Sequence, residues 1–511
     1  MSGMVSFHQR PDVLNKWLAT HGFIANPFAI REAGQESRLS EYFVEGPYYR
    51  DILGAADDPC TCFVFATRGC GKSAYRVMIQ NSCRPTDRDS SILAVPYLDF
   101  RHVLAEVRND LSKLTLDHHL RAILSAGLTT LFHEFVEFPE SFLQLPRKRR
   151  NILKGLIKAH APRLLDPTFL SDHLREWDKE MEADRLEEAA DRGRLGEVLS
   201  LASEPVLHFL NILFFFSSPE PPSEKMPLIE HWRTFVTLVQ RTGLQAVYVL
   251  VDGLDEFFEA AVDPPGTITT LLLPLILELP LMEMPSVAFK FFLPAEVIDA
   301  LREKTPLRFD RLRRYHLQWK EDDLLQMLRY RLEAFSDGRV SSLDALSDVD
   351  VIGRIDRELA RWAYGSPRTL LTLGDILFAV HCDNVSGGKL LLTEDDLQQA
   401  LNYFQREYGP LVPPLTIDEK RRRVLIGGRV IREKLSPLEY TLLLFLYQNA
   451  GEIKSKDDIW VAVYKYTPEG VSDEAIESLV FRLRQKIEPN PKKPVYLVTE
   501  RRRGYRLMNT A

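Results

Sequence analysis

The stretch A-T-R-G-C-G-K-S at residues 66–73 decides how the first half of this chain folds. The apolar run 62–65 comes directly before it and predicts a buried strand, and residues 73–79 after it predict a helix. A strand, a glycine turn and a helix are the context of the phosphate-binding pattern G-x-x-x-x-G-K-[ST], in which backbone N–H groups and a helix N-terminus face one anion. The alternative is a glycine turn without a ligand.

Three residues of the pattern are met, and one departs from it. Gly71, Lys72 and Ser73 stand at the conserved end of the pattern, whereas Ala66 occupies the place of its first glycine. In such loops the lysine reaches the β- and γ-phosphates, and the hydroxyl ligates Mg²⁺. We therefore expect Lys72 to bind phosphate and Ser73 to be a metal ligand.

A second motif, V-Y-V-L-V-D-G-L-D-E at residues 247–256, predicts a central parallel strand that ends in an acid. Five consecutive apolar residues are typical of a strand buried on both faces. Carboxyl ends of such strands are where α/β sheets bind ligands. Asp252 is the expected Mg²⁺ partner, and Asp255 or Glu256 is the expected group that orients or deprotonates an attacking water. The alternative is a strand followed by an acidic helix cap.

The composition is that of an ordinary globular protein, with 511 residues of which 45% are hydrophobic and 27% charged. No apolar run reaches the ~18 residues that cross a bilayer, and residues 1–10 lack the apolar core of a signal peptide. The five cysteines are odd in number and lack zinc spacing. These features favour reduced thiols, a cytoplasmic location and no membrane partner.

Charge is distributed unevenly along the chain. Residues 420–511 hold 19 Lys/Arg against 11 Asp/Glu, a net charge of +8. Since the whole chain carries −7, the other residues carry a net charge of −15. A basic terminal segment on an acidic body predicts a polyanionic partner for that segment alone.

The elements group into five segments. An α/β fold is expected, with a parallel sheet covered by helices on both faces, together with a helical insertion, a helical lid and an α+β terminal domain. The predicted bounds are 1–58 for an N-terminal helical segment, 59–300 for the sheet domain with an insertion at about 101–240, 301–404 for the lid, 405–417 for a linker and 418–511 for the terminal domain.

The first 400 residues resemble a known class of proteins. Residues 71–73, the run 252–256 and the segment G-S-P-R at 365–368 together resemble STAND-type signal-transduction NTPases, which lie close to AAA+ proteins of the origin-recognition group. The resemblance covers roughly residues 20–400. It implies a P-loop NTPase fold, ATP and Mg²⁺ as cofactors, hydrolysis that serves as a switch, and oligomerisation in many members.

The resemblance also implies which residues surround the nucleotide. Gly365, Pro367 and Arg368 are expected near it in the lid, while Ser73 and Asp252 are expected at the metal, and Asp255 and Glu256 are the candidate catalytic residues. The full expected nucleotide site is Arg68, Gly69, Cys70, Gly71, Lys72, Ser73, Ala74, Pro367 and Arg368.

The terminal segment predicts three helices and two hairpins. Residues 424–431 and 496–507 alternate around glycine turns and predict hairpins, with Arg501 to Arg503 at the tip of the second. Ser436 before Pro437 is a helix start, and the helices are expected at 437–448, 456–464 and 473–487. Three helices and a basic hairpin describe a winged helix, a variant of helix-turn-helix.

This segment is similar to the OmpR/PhoB-type winged helix over residues 418–508. Residues 435–440, 481–487 and 503–507 follow the order and spacing of that family. The resemblance implies double-stranded DNA as partner, with the third helix in the major groove and the wing on backbone or minor groove. The expected DNA contacts are Ser478, Arg482, Gln485, Lys486, Arg501, Arg502, Arg503 and Arg506.

Three functions remain open at this level. The first is an ATP-switched DNA-binding regulator of transcription, with an effector or protein partner that the sequence does not name. The second is a DNA-remodelling or mobile-element ATPase, which predicts DNA-stimulated hydrolysis. The third is a STAND defence sensor whose winged helix binds a protein, since a fold alone does not fix a function.

Overall fold

The computed structural model describes residues 11–83, 91–178, 183–220, 226–259, 261–304, 313–348, 354–384, 390–408, 415–419, 421–426, 429–431, 433–464, 473–492, 494–500, 503–508 and 510. These residues form two compact units. The sheet unit comprises residues 47–65 and 75–316. The terminal unit comprises residues 1–46, 66–74 and 317–511, so it includes the glycine turn at 66–73.

A five-stranded sheet organises the sheet unit. Its strands are β1 (Cys62–Ala66), β2 (Ile92–Tyr97), β3 (Ala246–Val251), β4 (Val287–Pro294) and β5 (Arg313–His316), in the order β2-β3-β4-β1-β5. The pairs β2–β3, β3–β4 and β1–β5 are all parallel. A parallel sheet is thereby confirmed, whereas the assignment to the P-loop NTPase fold stays a prediction.

Burial explains which strands the sequence revealed. Every residue of β3 and β4 is buried, including Lys290, whose Nζ donates to the Cys60 carbonyl at 2.6 Å and lies 4.6 Å from the centre of the Tyr248 ring. Apolar runs of this kind are typical of central parallel strands. In contrast, β5 reads R-R-Y-H and is mostly exposed, so no apolar pattern indicated it.

Helices fill the sheet unit between and around the strands. They are α3 (Tyr49–Leu53), α4 (Lys72–Ser82), α5 (Arg101–Glu106), α6 (Leu116–Glu137), α7 (Pro139–Leu143), α8 (Arg147–His160), α9 (Pro167–Trp177), α10 (Ala183–Asp191), α11 (Leu195–Ser200), α12 (Glu204–Asn211), α13 (Leu228–Arg241), α14 (Leu254–Phe257), α15 (Pro264–Ile276), α16 (Leu279–Met282) and α17 (Val297–Lys304). The expected helical insertion corresponds to α5–α13. It shares one hydrophobic core with the strands rather than forming a core of its own.

Helix α6 is the central helix of that core. Its buried residues include Leu120, Leu124, Leu131 and Phe135. At Gly127 an added Cβ would come within 2.8 Å of the Phe235 ring on α13, so only glycine permits this close packing of the two helices.

The terminal unit holds helices from both ends of the chain. They are α1 (Pro11–Thr20), α2 (Leu39–Tyr42), α18 (Glu321–Phe335), α19 (Ile355–Trp362), α20 (Pro367–Asn384) and α21 (Glu394–Tyr408). The N-terminal segment predicted at 1–58 is divided, because residues up to 46 belong here and residues 47–58 belong to the sheet unit. Trp17 Nε1 on α1, for example, donates to the Leu390 carbonyl at 2.8 Å.

A buried ion pair fixes the N-terminal segment against α18. Arg331 and Glu36 expose 1% and 3% of their side chains, and Arg331 Nη2 lies 2.8 Å from Glu36 Oε2. The same guanidinium donates to the carbonyls of Pro27 and Ile30 and lies 4.4 Å from the Tyr42 ring centre. The ion pair and these hydrogen bonds all go to the N-terminal segment, so this arginine holds that segment in place.

The terminal domain has the predicted winged-helix elements. Its strands are β6 (Leu415–Asp418), β7 (Arg423–Ile426), β8 (Arg429–Val430), β9 (Leu497–Glu500) and β10 (Gly504–Leu507), and its helices are α22 (Pro437–Gln448), α23 (Lys456–Tyr464) and α24 (Asp473–Ile487). The strands pair antiparallel in a three-stranded sheet, β6-β7-β8, and a hairpin, β9-β10. These elements enclose their own hydrophobic core.

The linker is shorter than predicted. Residues 405–408 continue α21, and residues 415–417 belong to β6, which pairs with β7. Residues 409–414 lie outside the described residues. The error arose because β6 alternates apolar and polar residues over only four positions after two prolines. Within the described residues, no helix combines the length and apolar character of a bilayer-crossing segment.

We predict that Arg331→Met will strongly destabilise the helical part of the terminal unit. The change leaves the Glu36 carboxylate buried without its guanidinium, and breaking such a pair costs about 3–5 kcal/mol. Amide hydrogen exchange of α18, measured by mass spectrometry, should show the lower opening free energy. Arg329→Met is the matched control on the same helix, because its pair with Glu333 is exposed and is worth about 1 kcal/mol or less. Equal effects of the two variants would contradict the assigned role of Arg331.

Candidate functional site

The glycine turn after β1 contains two glycines in the left-handed region and leads directly into a helix. Gly69 and Gly71 adopt φ values of +84° and +86°, in the left-handed region that favours glycine. Helix α4 begins at Lys72, immediately after the turn. The side chain of Lys72 is buried, and its Nζ lies 3.2 Å from the Ala66 carbonyl and 3.4 Å from the Thr67 carbonyl. The ammonium group therefore lies against the carbonyl groups at the start of the loop.

The start of the helical lid packs on this turn. The indole Nε1 of Trp319 donates to the Cys70 carbonyl at 3.0 Å, and the backbone N–H of Arg368 donates to the Gly69 carbonyl at 3.3 Å. A Cβ on Gly69 would come within 2.8 Å of Ser366 Oγ, so this approach requires glycine. The thiol of Cys70 donates to the Gly365 carbonyl at 3.4 Å. The lid thus contacts the turn through both backbone and side chains.

The structure therefore brings most of the expected nucleotide residues together. Residues 68–74 form the turn and the start of α4, and Pro367 and Arg368 begin α20 beside it. Arg68 is exposed, and Ser73 and Ala74 are partly buried. Trp319 was not predicted as a site residue, although a tryptophan just before the acidic start of α18 was a visible signal.

The acidic run 252–256 follows the carboxyl end of β3, as predicted. Asp252 is 3% exposed and is the first residue after the strand, and Gly253 follows with a φ of +85°. Asp255 and Glu256 lie in the short helix α14, the first partly buried and the second exposed. All three carboxylates belong to the sheet unit.

Asp252 has a partner that the sequence analysis missed. Arg76 Nε on α4 donates to Asp252 Oδ2 at 3.3 Å, and both side chains are at least 90% buried. Burial lowers the pKa of Arg76, and the neighbouring Asp252 opposes that shift. Its Nη1 donates to Gln80 Oε1 at 2.7 Å. The signal was an arginine four residues after Lys72, which places it one turn further along the same helix.

Helix α24 presents a continuous exposed face in the terminal domain. Ser478, Arg482 and Gln485 are all exposed and are spaced by four and three residues, which places them on one side of the helix. Phe481 is 61% exposed beside them. The opposite side, including Leu479 and Leu483, is buried in the domain core. A polar face backed by a firm core suits a helix that enters a groove.

Two of the predicted DNA-contact residues also form bonds within the domain. Lys486 Nζ lies 2.7 Å from Glu439 Oε2 and 3.0 Å from the Lys434 carbonyl, so it joins α24 to the start of α22. Arg506 Nη2 donates to Glu500 Oε1 at 2.5 Å across the β9–β10 hairpin. Each of these cations is therefore paired with a carboxylate of the same domain, a partner that the spacing of residues in the sequence does not reveal.

Acidic residues at the start of α24 are compensated in the same way. Lys456 Nζ on α23 lies 2.8 Å from Asp473 Oδ2 and 2.7 Å from Glu477 Oε1. The two carboxylates raise the pKa of Lys456 above its usual value. The start of α24 is therefore less negative than its sequence alone indicates.

The wing hairpin is held by its backbone and by α24. Arg501 and Arg502 lie outside the described residues, whereas Arg503 is exposed and its N–H donates to the Glu500 carbonyl at 3.0 Å. A Cβ on Gly504 would lie 2.0 Å from the Lys454 carbonyl oxygen, so glycine is required there. Arg484 on α24 donates to the Leu497 carbonyl at 2.6 Å and to Thr499 Oγ1 at 2.7 Å.

These elements define the class of the terminal domain. Residues 432–507 match the protein-family model described as "Transcriptional regulatory protein, C terminal". The terminal domain is a winged-helix DNA-binding domain of the OmpR/PhoB type, as its sequence indicated.

Curated relatives match the same part of the chain. They include the "Probable transcriptional regulator ycf27" of Cyanophora paradoxa, 37% identical over 98 residues, which are 19% of this chain and 40% of that protein. The alkaline phosphatase synthesis regulator PhoP of Bacillus subtilis is 38% identical over 74 residues, 14% of this chain and 30% of its own. The chain thus spans two fifths or less of these relatives.

Solved structures also align with this segment. One is the RstA DNA-binding domain of Klebsiella pneumoniae in complex with the RstA box, at 29% identity and a TM-score of 0.18. The alignment covers 20% of this chain and 96% of that domain.

We predict that Glu439 makes the stability of the terminal domain dependent on pH. Burial alone would raise the pKa of Glu439, but Lys486 and the hydrogen bonds from Ser436 outweigh it and lower the pKa. A lowered pKa stabilises the fold fully above the unfolded value of about 4.3, and the contribution is lost as pH falls through the folded value. At neutral pH, Glu439→Gln should cost about 1.5–3 kcal/mol, typical of hydrogen bonds to a charged group.

Hydrogen exchange of α22, corrected for intrinsic rates at each pH, measures the difference in opening free energy between Glu439→Gln and the unaltered protein. This difference should stay constant from pH 7 to about 5 and shrink at lower pH. Glu433→Gln is the control, since Glu433 is exposed in the same domain. A difference between Glu439→Gln and the unaltered protein that persists unchanged at pH 3 would contradict this role for the carboxylate.

Proposed function

We propose that this protein is a DNA-binding transcriptional regulator whose winged helix is controlled by ATP bound at residues 66–74. The observation that carries the proposal is the set of bonds between the glycine turn and the lid, from Trp319 to Cys70 and from Arg368 to Gly69. The lid continues in sequence through α21 into the winged helix. A change at the turn therefore has a mechanical route towards the DNA-binding domain.

The loop chemistry supports a nucleotide phosphate as the ligand. Left-handed glycines, a buried lysine and a helix that starts at Lys72 are the features by which such loops hold phosphate. Lys72 now donates to two loop carbonyls, and a phosphate offers it stronger, charge-assisted bonds. When the ammonium group turns to the phosphate, the loop must adjust, and the bonds to Trp319 and Arg368 respond.

The donor set also suits Mg²⁺. Ser73 supplies a hydroxyl and Asp252 a carboxylate, both oxygen ligands of the kind that Mg²⁺ uses. In the part of the chain that the structure describes, no cluster of three or more His, Cys, Asp or Glu side chains is arranged to hold a metal. This fits an ion held by one or two protein oxygens together with substrate phosphates and water. Bound Mg²⁺ would neutralise phosphate charge during hydrolysis.

Hydrolysis would reset the switch. Asp255 and Glu256 follow Asp252 on α14, and either carboxylate is suited to orient or deprotonate a water. Both parallel strands β1 and β3 point their carboxyl ends to the same edge of the sheet, the edge at which α/β sheets bind ligands.

DNA recognition is proposed for the exposed face of α24 and for the wing. Ser478, Arg482 and Gln485 offer hydrogen bonds to base edges, and Arg503 offers charge to phosphates. The relatives named above are described as transcriptional regulators, which favours DNA over a protein partner for the matching domain.

The first test is DNA binding by the full chain in three nucleotide states. Fluorescence anisotropy with random-sequence duplex is measured without nucleotide, with MgADP and with Mg²⁺ and a non-hydrolysable ATP analogue. We expect the affinity to change at least about fivefold between states, the lower end of typical allosteric coupling. Lys72→Ala should remove nucleotide binding and make DNA affinity the same in all states, whereas Lys113→Ala, an exposed lysine elsewhere, should change neither.

Other outcomes point to the alternative functions. Tight DNA binding that ignores nucleotide, together with DNA-stimulated hydrolysis, would favour a remodelling ATPase. No DNA binding in any state would favour a sensor whose winged helix binds protein. Undiminished ATP affinity in Lys72→Ala would contradict the nucleotide site itself.

We predict that Arg482, Arg501 and Arg502 together supply much of the electrostatic DNA affinity. Each phosphate contact contributes about −0.9 to the slope of log K against log salt. The triple alanine variant should therefore flatten that slope by about 2–3. The charge-matched control replaces Arg147, Arg163 and Arg233, which are exposed on helices of the sheet unit and in the turn before α9. The same salt slope in both triple variants would contradict the proposal that DNA binds at Arg482, Arg501 and Arg502.

A further inference from the structure

A polar cavity of about 310 Å³ lies in the sheet unit. It is partly open and is lined by residues of α4, β2, α6 and α9 and by Cys83, and we name it the α6 cavity. Its volume is at the lower end of the range of small-ligand pockets. Cys83 and Ala94 form a buried, uncharged floor, since burial raises the pKa of the Cys83 thiol to about 12.

Hydrogen-bond acceptors dominate the walls of the α6 cavity. Thr129 Oγ1 and Thr130 Oγ1 donate to the carbonyls of Ser125 and Ala126, each at 2.9 Å. Each hydroxyl has thus used its single proton on its own helix and keeps lone pairs for a ligand. The carboxylates of Glu134 and Glu176 complete the polar lining, which contains no lysine or arginine among the described residues.

An aromatic wall faces the same space. Trp177, the last residue of α9, also lines the cavity, and its ring centre lies 5.2 Å from that of His133 on α6. Phe132 and His173 pack on Trp177 at 5.9 Å and 5.2 Å, so its orientation is fixed. An indole face beside carboxylates is the combination that binds organic cations, because the ring quadrupole and the negative charges attract the same ligand.

We propose that the α6 cavity binds a small organic cation, an aliphatic amine or guanidine with several N–H donors. The ammonium or guanidinium group lies between Glu134, Glu176 and the face of Trp177. Its N–H groups donate to Thr129 and Thr130. The volume admits a chain of a few carbons.

The cavity also connects to Asp252 through hydrogen bonds. Gln80 lines the cavity, and its Oε1 accepts from Arg76 Nη1 at 2.7 Å. Arg76 Nε in turn donates to Asp252 Oδ2 at 3.3 Å. A ligand that bonds to the Gln80 amide shifts Arg76 and so changes how firmly Asp252 is held. This coupling rests on the proposed function, because it assumes that Asp252 serves a nucleotide site, whereas the cation site does not.

Calorimetric titration of the full chain with putrescine and with agmatine tests the site. At least one of these probes should bind with a millimolar or lower Kd, and succinate, a dianion of similar length, should not. Glu134→Gln keeps the shape of the side chain and should weaken binding by about tenfold or more. Glu137→Gln is the control, because Glu137 is exposed at the end of the same helix. Circular dichroism checks that both variants fold.

Absence of binding by both cations, or equal Kd values for Glu134→Gln and Glu137→Gln, overturns the cation site. The coupling has its own readout, the MgATP affinity with and without saturating cation. We expect a change of about fivefold or more that Gln80→Leu abolishes while cation binding remains within about threefold. Cation binding without any effect on MgATP affinity overturns the coupling alone. Failure of MgATP to bind under any condition overturns the proposed function and leaves the cation result standing.

Discussion

Parallel pairing is the constraint on which the sheet unit depends. Consecutive parallel strands need a crossover that passes over one face of the sheet, and each crossover here is helical. The segment between β2 and β3 is the extreme case, since all of α5–α13 lies in it. Because those helices share one core with the strands, the long insertion is a face of the sheet unit and not a separate attachment. The same constraint sets the carboxyl ends of the parallel strands at one edge of the sheet.

Local signals made some elements predictable to the residue. Helix α22 has the bounds that the sequence predicted, and α23 begins and α24 ends where predicted, because Ser436 and Ser455 accept cap hydrogen bonds and Pro489 follows α24. The end of α23 and the start of α24 border residues 465–472, which lie outside the described residues. The buried strands β3 and β4 were visible as apolar runs. Strands β5 and β6 were not, since an edge strand of four residues, polar in β5 and alternating in β6, gives too short a pattern and is defined by its partner.

Side-chain partners distant in sequence explain what was missed in the candidate site. Arg76 and Asp252 are 176 residues apart, and Trp319 and Cys70 are 249 apart. Lys486 is predicted as a DNA contact from its spacing, and the structure adds a partner within the domain, Glu439, 47 residues earlier. Motif spacing predicts which residue types a site contains. Whether a charge faces a ligand or another side chain depends on tertiary packing, which spacing does not contain.

The Arg76–Asp252 pair adds a requirement to the proposed nucleotide site, because Asp252 already has a buried cation as its partner. A buried carboxylate without a cation is costly, so a guanidinium beside Asp252 stabilises the protein before any metal arrives. A divalent ion at the same carboxylate repels the guanidinium, and at an effective dielectric constant near 20 such charges interact by several kcal/mol at close range. Arg76 must then move or transfer its bonds to Gln80 and its surroundings. In the proposed switch, metal-nucleotide binding therefore exchanges one buried cation for another. Through Gln80, that exchange would reach α6 and the cavity beside it.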